Sequence, residues 1–175
     1  GSFFYYQQTG ITPDVVTTAK ALGNGVPIGA CLARGAAAEL FAPGHHGSTY
    51  GGNPLSCAAA LAVLDVMIDE EMPARAPALA QQLLDAFHGS LKHTAAVTEV
   101  RHAGLMIGIE LDKPCAKLAP LALENRILIN VTAGSTLRLL PPLVLEPAQA
   151  GELGARLAAT VDHWLQNSDR LQGAA

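Results

Sequence analysis

An α/β architecture in two parts is expected from this chain. Residues 1–52 carry short apolar runs punctuated by glycine, and Asn53-Pro54 is a strong helix start. Beyond residue 97, four short apolar runs alternate with helical periodicity. The length of 175 residues suits one ordinary domain or two small units. Half of the chain is hydrophobic and only 15% is charged, which describes a globular, alanine-rich core and argues against disorder.

Val15 and Val16 read as a short strand, and residues 26–32 as a second apolar run. Between them a loop follows Lys20. A second loop, GHHGSTYGGN at residues 44–53, holds four glycines and two aliphatic hydroxyls, Ser48 and Thr49. It ends where Asn53 can cap a helix and Pro54 can open it. The helix over residues 54 to about 70 is apolar nearly all round until Asp65, so it is expected to be buried on most sides. The cluster Asp69, Glu70, Glu71 and then Pro73 ends that helix and marks a boundary.

Leu79, Leu83, Phe87 and Leu91 recur every four residues and predict an amphipathic helix. Residues 97–101 and 105–111 read as two strands hinged at Gly104, and residues 127–131 as a third. A helix is expected between about Ala116 and Asn125, broken or kinked at Pro120. Residues 137–140 form the fourth strand, stopped by Pro141-Pro142. Glu146 and Pro147 open the last helix, striped by Leu153, Leu157, Val161 and Leu165, with Trp164 beside the stripe as packing. The tail from Gln166 is expected to fray. The second part therefore reads as helices packed on a short sheet.

Several classes of function are argued against. The net charge of −4, with scattered lysines and arginines, gives no basic face for nucleic acid. The apolar run at residues 57–64 is too short to cross a bilayer, and no signal peptide is visible. Cys31, Cys57 and Cys115 form no C-x-x-C pair, which suggests reduced thiols in a cytoplasmic setting, with Cys57 a buried packing residue. The doublet His45-His46 has no cysteine or carboxylate at zinc-ligand spacing, so no metal site is expected. The chain opens on Gly1 rather than Met, so it is either processed at its amino end or part of a longer chain.

Two features carry chemistry. Lys20 is the only charged residue in residues 15–33, VVTTAKALGNGVPIGACLA. It is expected to lie between core strands, where an unpaired ammonium costs several kcal/mol unless it is neutralised or used. The loop GSTYGG at residues 47–52 precedes a helix, where backbone N–H groups, hydroxyls and the helix dipole favour an anion. It is not a Walker loop, because no lysine follows its last glycine. A lone amine and an anion cradle are what pyridoxal 5′-phosphate requires.

The stretch ITPDVVTTAKALGNGVPIGA, followed by HGSTYGGNPLSCAAALAVL and later by ILINVTAGSTLRLLPPLVL, resembles the class III aminotransferases of fold type I. Within that class the chain is most similar to the acetylornithine aminotransferases of bacterial arginine synthesis. The ornithine, succinylornithine and 4-aminobutyrate aminotransferases are close alternatives. The resemblance implies a homodimeric cytoplasmic enzyme that takes pyridoxal 5′-phosphate and moves an amino group from N-acetylornithine to 2-oxoglutarate. It implies that Lys20 holds the cofactor aldehyde and, once uncharged and released, moves the substrate proton. Thr49 would donate to the cofactor phosphate of the neighbouring subunit, Ser48 would lie near the substrate, and Arg138 would bind a substrate carboxylate.

The same resemblance assigns residues 1–72 to the end of the large cofactor-binding domain and residues 73–175 to the small carboxy-terminal domain. The family's carboxylate partner of the pyridine nitrogen lies upstream of the position matching Gly1. So do its glycine-containing phosphate loop, its ring-stacking aromatic and a second arginine. The expectation is therefore a carboxy-terminal portion with little or no activity in isolation. The rival is a non-catalytic remnant that folds or dimerises without the reaction.

Overall fold

Two units, Ser2–Met72 and Pro73 onward, divide the computed structural model, which describes residues 1–172. In the first unit, β1 (Val15–Ala19) and β2 (Gly29–Ala33) form an antiparallel ribbon with Val15 opposite Ala33 and Ala19 opposite Gly29. A 3-10 turn, Lys20–Gly23, follows β1 directly, and α1 (Pro54–Asp69) packs against that turn. Asn53 caps α1 as expected, its side chain accepting from the Ser56 N–H at 3.0 Å, with Pro54 in the first helical turn.

Burial in this unit departs from expectation. β2 is exposed along its whole length, β1 is only half-buried on one face, and Lys20 itself is exposed. A two-stranded ribbon has too few strands to bury both of its faces, so it offers Lys20 no dry interior. Likewise α1 buries only Ser56 and Ala60, while Leu55 is 75% and Ile68 is 67% exposed. One ribbon and its loops give this helix a single side to pack on. Cys57, expected inside, is half-buried for the same reason.

The second unit is a four-stranded antiparallel sheet in the order β3-β4-β6-β5. Its strands are β3 (Val97–Ala103), β4 (Met106–Leu111), β5 (Asn130–Thr132) and β6 (Thr136–Leu139). β3 and β4 turn at Gly104 and Leu105, with Ala103 opposite Met106. Period two governs the sheet: Ile107, Ile109 and Leu111 on β4, and Leu137 and Leu139 on β6, face the core. Against them lie α2 (Met72–Ser90), through Leu79, Leu83 and Phe87, and α4 (Pro147–Gln172), through Leu157, Val161 and Trp164. Leu91, the last of the expected apolar repeat, is also buried, just beyond α2. Trp164 is 2% exposed and packs as expected.

The two helices approach closely at Gly154. A Cβ there would lie 2.2 Å from the Leu83 carbonyl oxygen, so only glycine allows the approach. Asp162, also on α4, closes the loop after α2. Its carboxylate accepts from the Lys92 N–H at 2.9 Å and the His93 N–H at 3.0 Å.

Three boundaries differ from the sequence reading. Pro120 neither breaks nor kinks α3 (Leu118–Glu124): it is the third residue, where its missing N–H has no acceptor within the helix. β5 starts at Asn130 because Arg126 and Ile127 cap α3, their N–H groups donating to Leu123 and Ala122 carbonyls at 2.9 and 2.8 Å. α4 runs on through Gln172 rather than fraying at Gln166, and the remainder of the tail lies outside the described residues. Among the described residues no helix is long and apolar enough to cross a membrane.

Candidate active site

Lys20 is held in an unusual backbone state. Its φ is +55°, the left-handed region that costs an ordinary residue about 1–2 kcal/mol. Strain of this kind persists where the surroundings determine it, and here they do. The β1 ladder ends at Ala19, and the 3-10 turn then reverses the chain, with Asn24 also left-handed and its N–H donating to the Ala21 carbonyl at 3.1 Å. Gly23 is the buried point of the turn, where a Cβ would meet Ile28 Cγ2 at 2.8 Å. The turn therefore fixes where the Lys20 side chain leaves the backbone. Among the described residues its ammonium has no ion pair or hydrogen bond.

The start of α1 is tied to this region by Ser56, whose hydroxyl donates to the Pro27 carbonyl at 3.2 Å and is 5% exposed. Ahead of α1, the loop carrying Ser48 and Thr49 is exposed. The Gly51 N–H donates to Ser48 Oγ at 3.1 Å, and Asn53 Nδ2 donates to the Tyr50 carbonyl at 2.9 Å. Ser48 thus accepts within the loop and keeps its own proton to donate, while the Thr49 hydroxyl has no partner among the described residues. Lys20, Ser48 and Thr49 share one unit, although no hydrogen bond joins the lysine to either hydroxyl.

Arg138 belongs to the other unit, on β6. Leu137 and Leu139 point into the core, so Arg138 faces the opposite side of the sheet, half-buried. Its Nε donates to Asn130 Oδ1 at 3.0 Å, across the β5-β6 pair in which the two residues stand opposite each other. Arg101, paired with Gly108 on the neighbouring strand as Arg138 is, differs in its partners: it bonds to Glu99 at 3.0 Å and to Glu110 at 3.5 Å. Hydroxyls of Ser135 and Thr136 donate to the Glu110 carboxylate and, with Arg101, hold it below the usual carboxylate range against a smaller opposing effect of burial. Asn130 and Ser56 were not singled out in the sequence. Ser56 stands at the third helical position after Asn53, and Asn130 carries only the hairpin spacing of eight residues to Arg138.

The donor set fits pyridoxal phosphate: a primary amine on a fixed turn, two hydroxyls with protons to donate and an exposed loop before a helix. The Aminotransferase class-III family profile matches residues 1–161. The chain belongs to this family. It is 44% identical over 167 residues to an acetylornithine aminotransferase of Nitrosomonas europaea, covering 95% of this chain and 42% of that one. With the acetylornithine aminotransferase of Corynebacterium efficiens the identity is 48%, over 92% of this chain and 39% of the relative.

Among solved structures, the acetylornithine aminotransferase of Elizabethkingia anophelis superposes with a TM-score of 0.82 at 32% identity. The match covers 91% of this chain and 41% of that one. An ornithine aminotransferase of Toxoplasma gondii, described with partial occupancy of PLP at its active site, superposes at 0.83 and 31% identity, covering 94% and 40%. The fold is thus the α/β fold of type I aminotransferases expected from the sequence. The chain spans about two-fifths of the length of the relatives it matches.

Proposed function

We propose that this chain is the carboxy-terminal portion of a pyridoxal-phosphate-dependent aminotransferase that moves the amino group of N-acetylornithine to 2-oxoglutarate. The observation that carries the reading is Lys20, a lone amine held at φ +55° on a turn that α1 packs against. The acetylornithine aminotransferases at 44% and 48% identity support the choice of substrate.

Bound pyridoxal phosphate supplies an aldehyde and a sink for electrons. Lys20 Nζ is the group that holds that aldehyde and, when free and uncharged, moves a proton at the substrate carbon. The Thr49 hydroxyl would donate to the phosphate of the cofactor held by the neighbouring subunit, with Ser48 beside it near the substrate in that shared site. Arg138 presents its planar fork to a substrate carboxylate. In this reading residues 1–72 end the cofactor-binding domain, residues 73–175 form the small domain, and the enzyme works as a cytoplasmic homodimer. Exposed Leu55, Leu61 and Ile68 give α1 apolar surface for a subunit contact. The 175-residue chain by itself turns over little or no substrate.

Ornithine is the second reading for the amino donor, favoured by the Toxoplasma gondii ornithine aminotransferase at a TM-score of 0.83. The test has two parts. Incubation with pyridoxal phosphate, borohydride reduction and peptide mapping should label Lys20 in preference to Lys92, Lys113 and Lys117, and Lys20→Ala should lose the label. Label spread evenly over the four lysines removes the assignment. Kinetics of the protein as its gene encodes it, with N-acetylornithine against ornithine, decides the donor.

A further inference from the structure

The outer face of the four-stranded sheet carries a row of residues in register: Arg101 on β3, Gly108 on β4, Arg138 on β6 and Asn130 on β5. The two arginines of this row are treated in opposite ways. Arg101 is neutralised, its Nη1 on Glu99 and its Nη2 reaching Glu110 and the Thr136 hydroxyl. Among the described residues Arg138 has one partner, and it is uncharged: Nε donates to the side-chain oxygen of Asn130 at 3.0 Å. Neither terminal nitrogen of Arg138 is bonded among the described residues.

We propose that Asn130 is a positioning residue for substrate carboxylate. It grips Arg138 by Nε and fixes the guanidinium plane, leaving both terminal nitrogens for an end-on, two-pronged carboxylate contact. The proposal rests on the reading of Arg138 as a carboxylate-binding residue and adds the reason its partner is neutral. An amide oxygen orients the fork without cancelling its charge. A carboxylate at the same place would orient it equally well but compete with the substrate for the same cation. Gly108, paired with both arginines, places no side chain between them.

The experiment is steady-state kinetics of the protein as its gene encodes it, comparing Asn130→Ala, Asn130→Asp, Arg138→Gln and Arg138→Gln combined with Asn130→Ala. The amino donors are one with an α-carboxylate and a simple alkyl amine without one. Loss of one oriented hydrogen bond should raise KM for the carboxylate donor roughly fivefold or more in Asn130→Ala. With kcat little changed, kcat/KM for the plain amine should stay as in the parent. Asn130→Asp, nearly isosteric and still an acceptor, should raise KM at least as much. The double variant should be no worse than Arg138→Gln alone.

If Arg138→Gln raises KM and Asn130→Ala does not, Asn130 has no positioning role and the reading of Arg138 stands. If Arg138→Gln leaves KM unchanged, that reading falls and this proposal falls with it. Full function in Asn130→Asp overturns the need for a neutral partner. Equal losses with both donors mark a merely structural role. Should Asn130→Ala fail to fold, the isosteric Asn130→Asp carries the decision.

Discussion

Ser56 in the first turn of α1 donates its hydroxyl to the carbonyl of Pro27, in the loop between the two strands of the ribbon, at 3.2 Å. The bond spans 29 residues of sequence and joins the buried Ser56 to the exposed Pro27, so it fastens the helix to the hairpin that carries Lys20. The same helix start follows the Ser48-Thr49 loop, so amine and hydroxyls hang from one joint. Ser56→Ala should cost about 1 kcal/mol of stability, and Ser56→Val more, because the buried Ser56 position must then also take a larger, branched side chain. Chemical denaturation measures the first effect. A weaker affinity for pyridoxal phosphate, with Lys20 untouched, measures the second link, from joint to site.

Gly154 makes a sharper prediction. An added methyl would overlap the Leu83 carbonyl at 2.2 Å and crowd the Phe87 nitrogen at 2.9 Å, and both are backbone atoms that cannot rotate away. Gly154→Ala should therefore push α2 and α4 apart and cost about 3 kcal/mol or more, although alanine is the better helix former. A gain in melting temperature would mean that the helices do not meet there.

How far the sequence could be read depended on whether the relevant partner was local. Asn53 and Pro54 announced α1, and Leu79, Leu83 and Phe87 announced the buried stripe of α2, because capping and periodicity act within a few residues. Lys20 stood out through the absence of charge around it. Its exposure did not, since burial depends on how many layers cover a ribbon, and the pattern of β1 and β2 is silent on that. Pro120 misled because its effect depends on its position from the helix start, which the sequence left a few residues wide. Asn130 was invisible without the β5-β6 register, and Gly154 without the path of α2.

The cysteines should separate by reactivity. Burial first, and the charge of Glu110 second, push the Cys115 thiol up to about 11, whereas Cys31 lies exposed on β2. The thiolate is the reacting species, so at pH 8 an alkylating reagent should modify Cys31 promptly and leave Cys115 intact in the folded protein. Mass spectrometry of the labelled peptides reads this directly. Denaturant should abolish the difference. Rapid labelling of Cys115 under native conditions would show that the β4-β6 core opens readily.

Asp162 sets an acid limit on the second unit. Burial raises its pKa, but the backbone N–H of Lys92, the His93 ring and the His93 N–H together outweigh that and leave the carboxyl below the ordinary value. A carboxyl depressed in the folded state adds stability above its unfolded pKa of about 3.9, and that contribution is lost as pH falls through the folded value. Stability of the parent should therefore drop below about pH 4. Asp162→Ala strands the Lys92 and His93 donors at the end of α2, and at pH 7 it should cost about 2 kcal/mol. Because acid removes the same interaction from the parent, denaturation curves for the two proteins should converge as pH falls below the ordinary aspartate value of about 3.9 and through the lower folded value. A gap that stayed constant across that range would mean Asp162 acts through shape, with its charge contributing nothing.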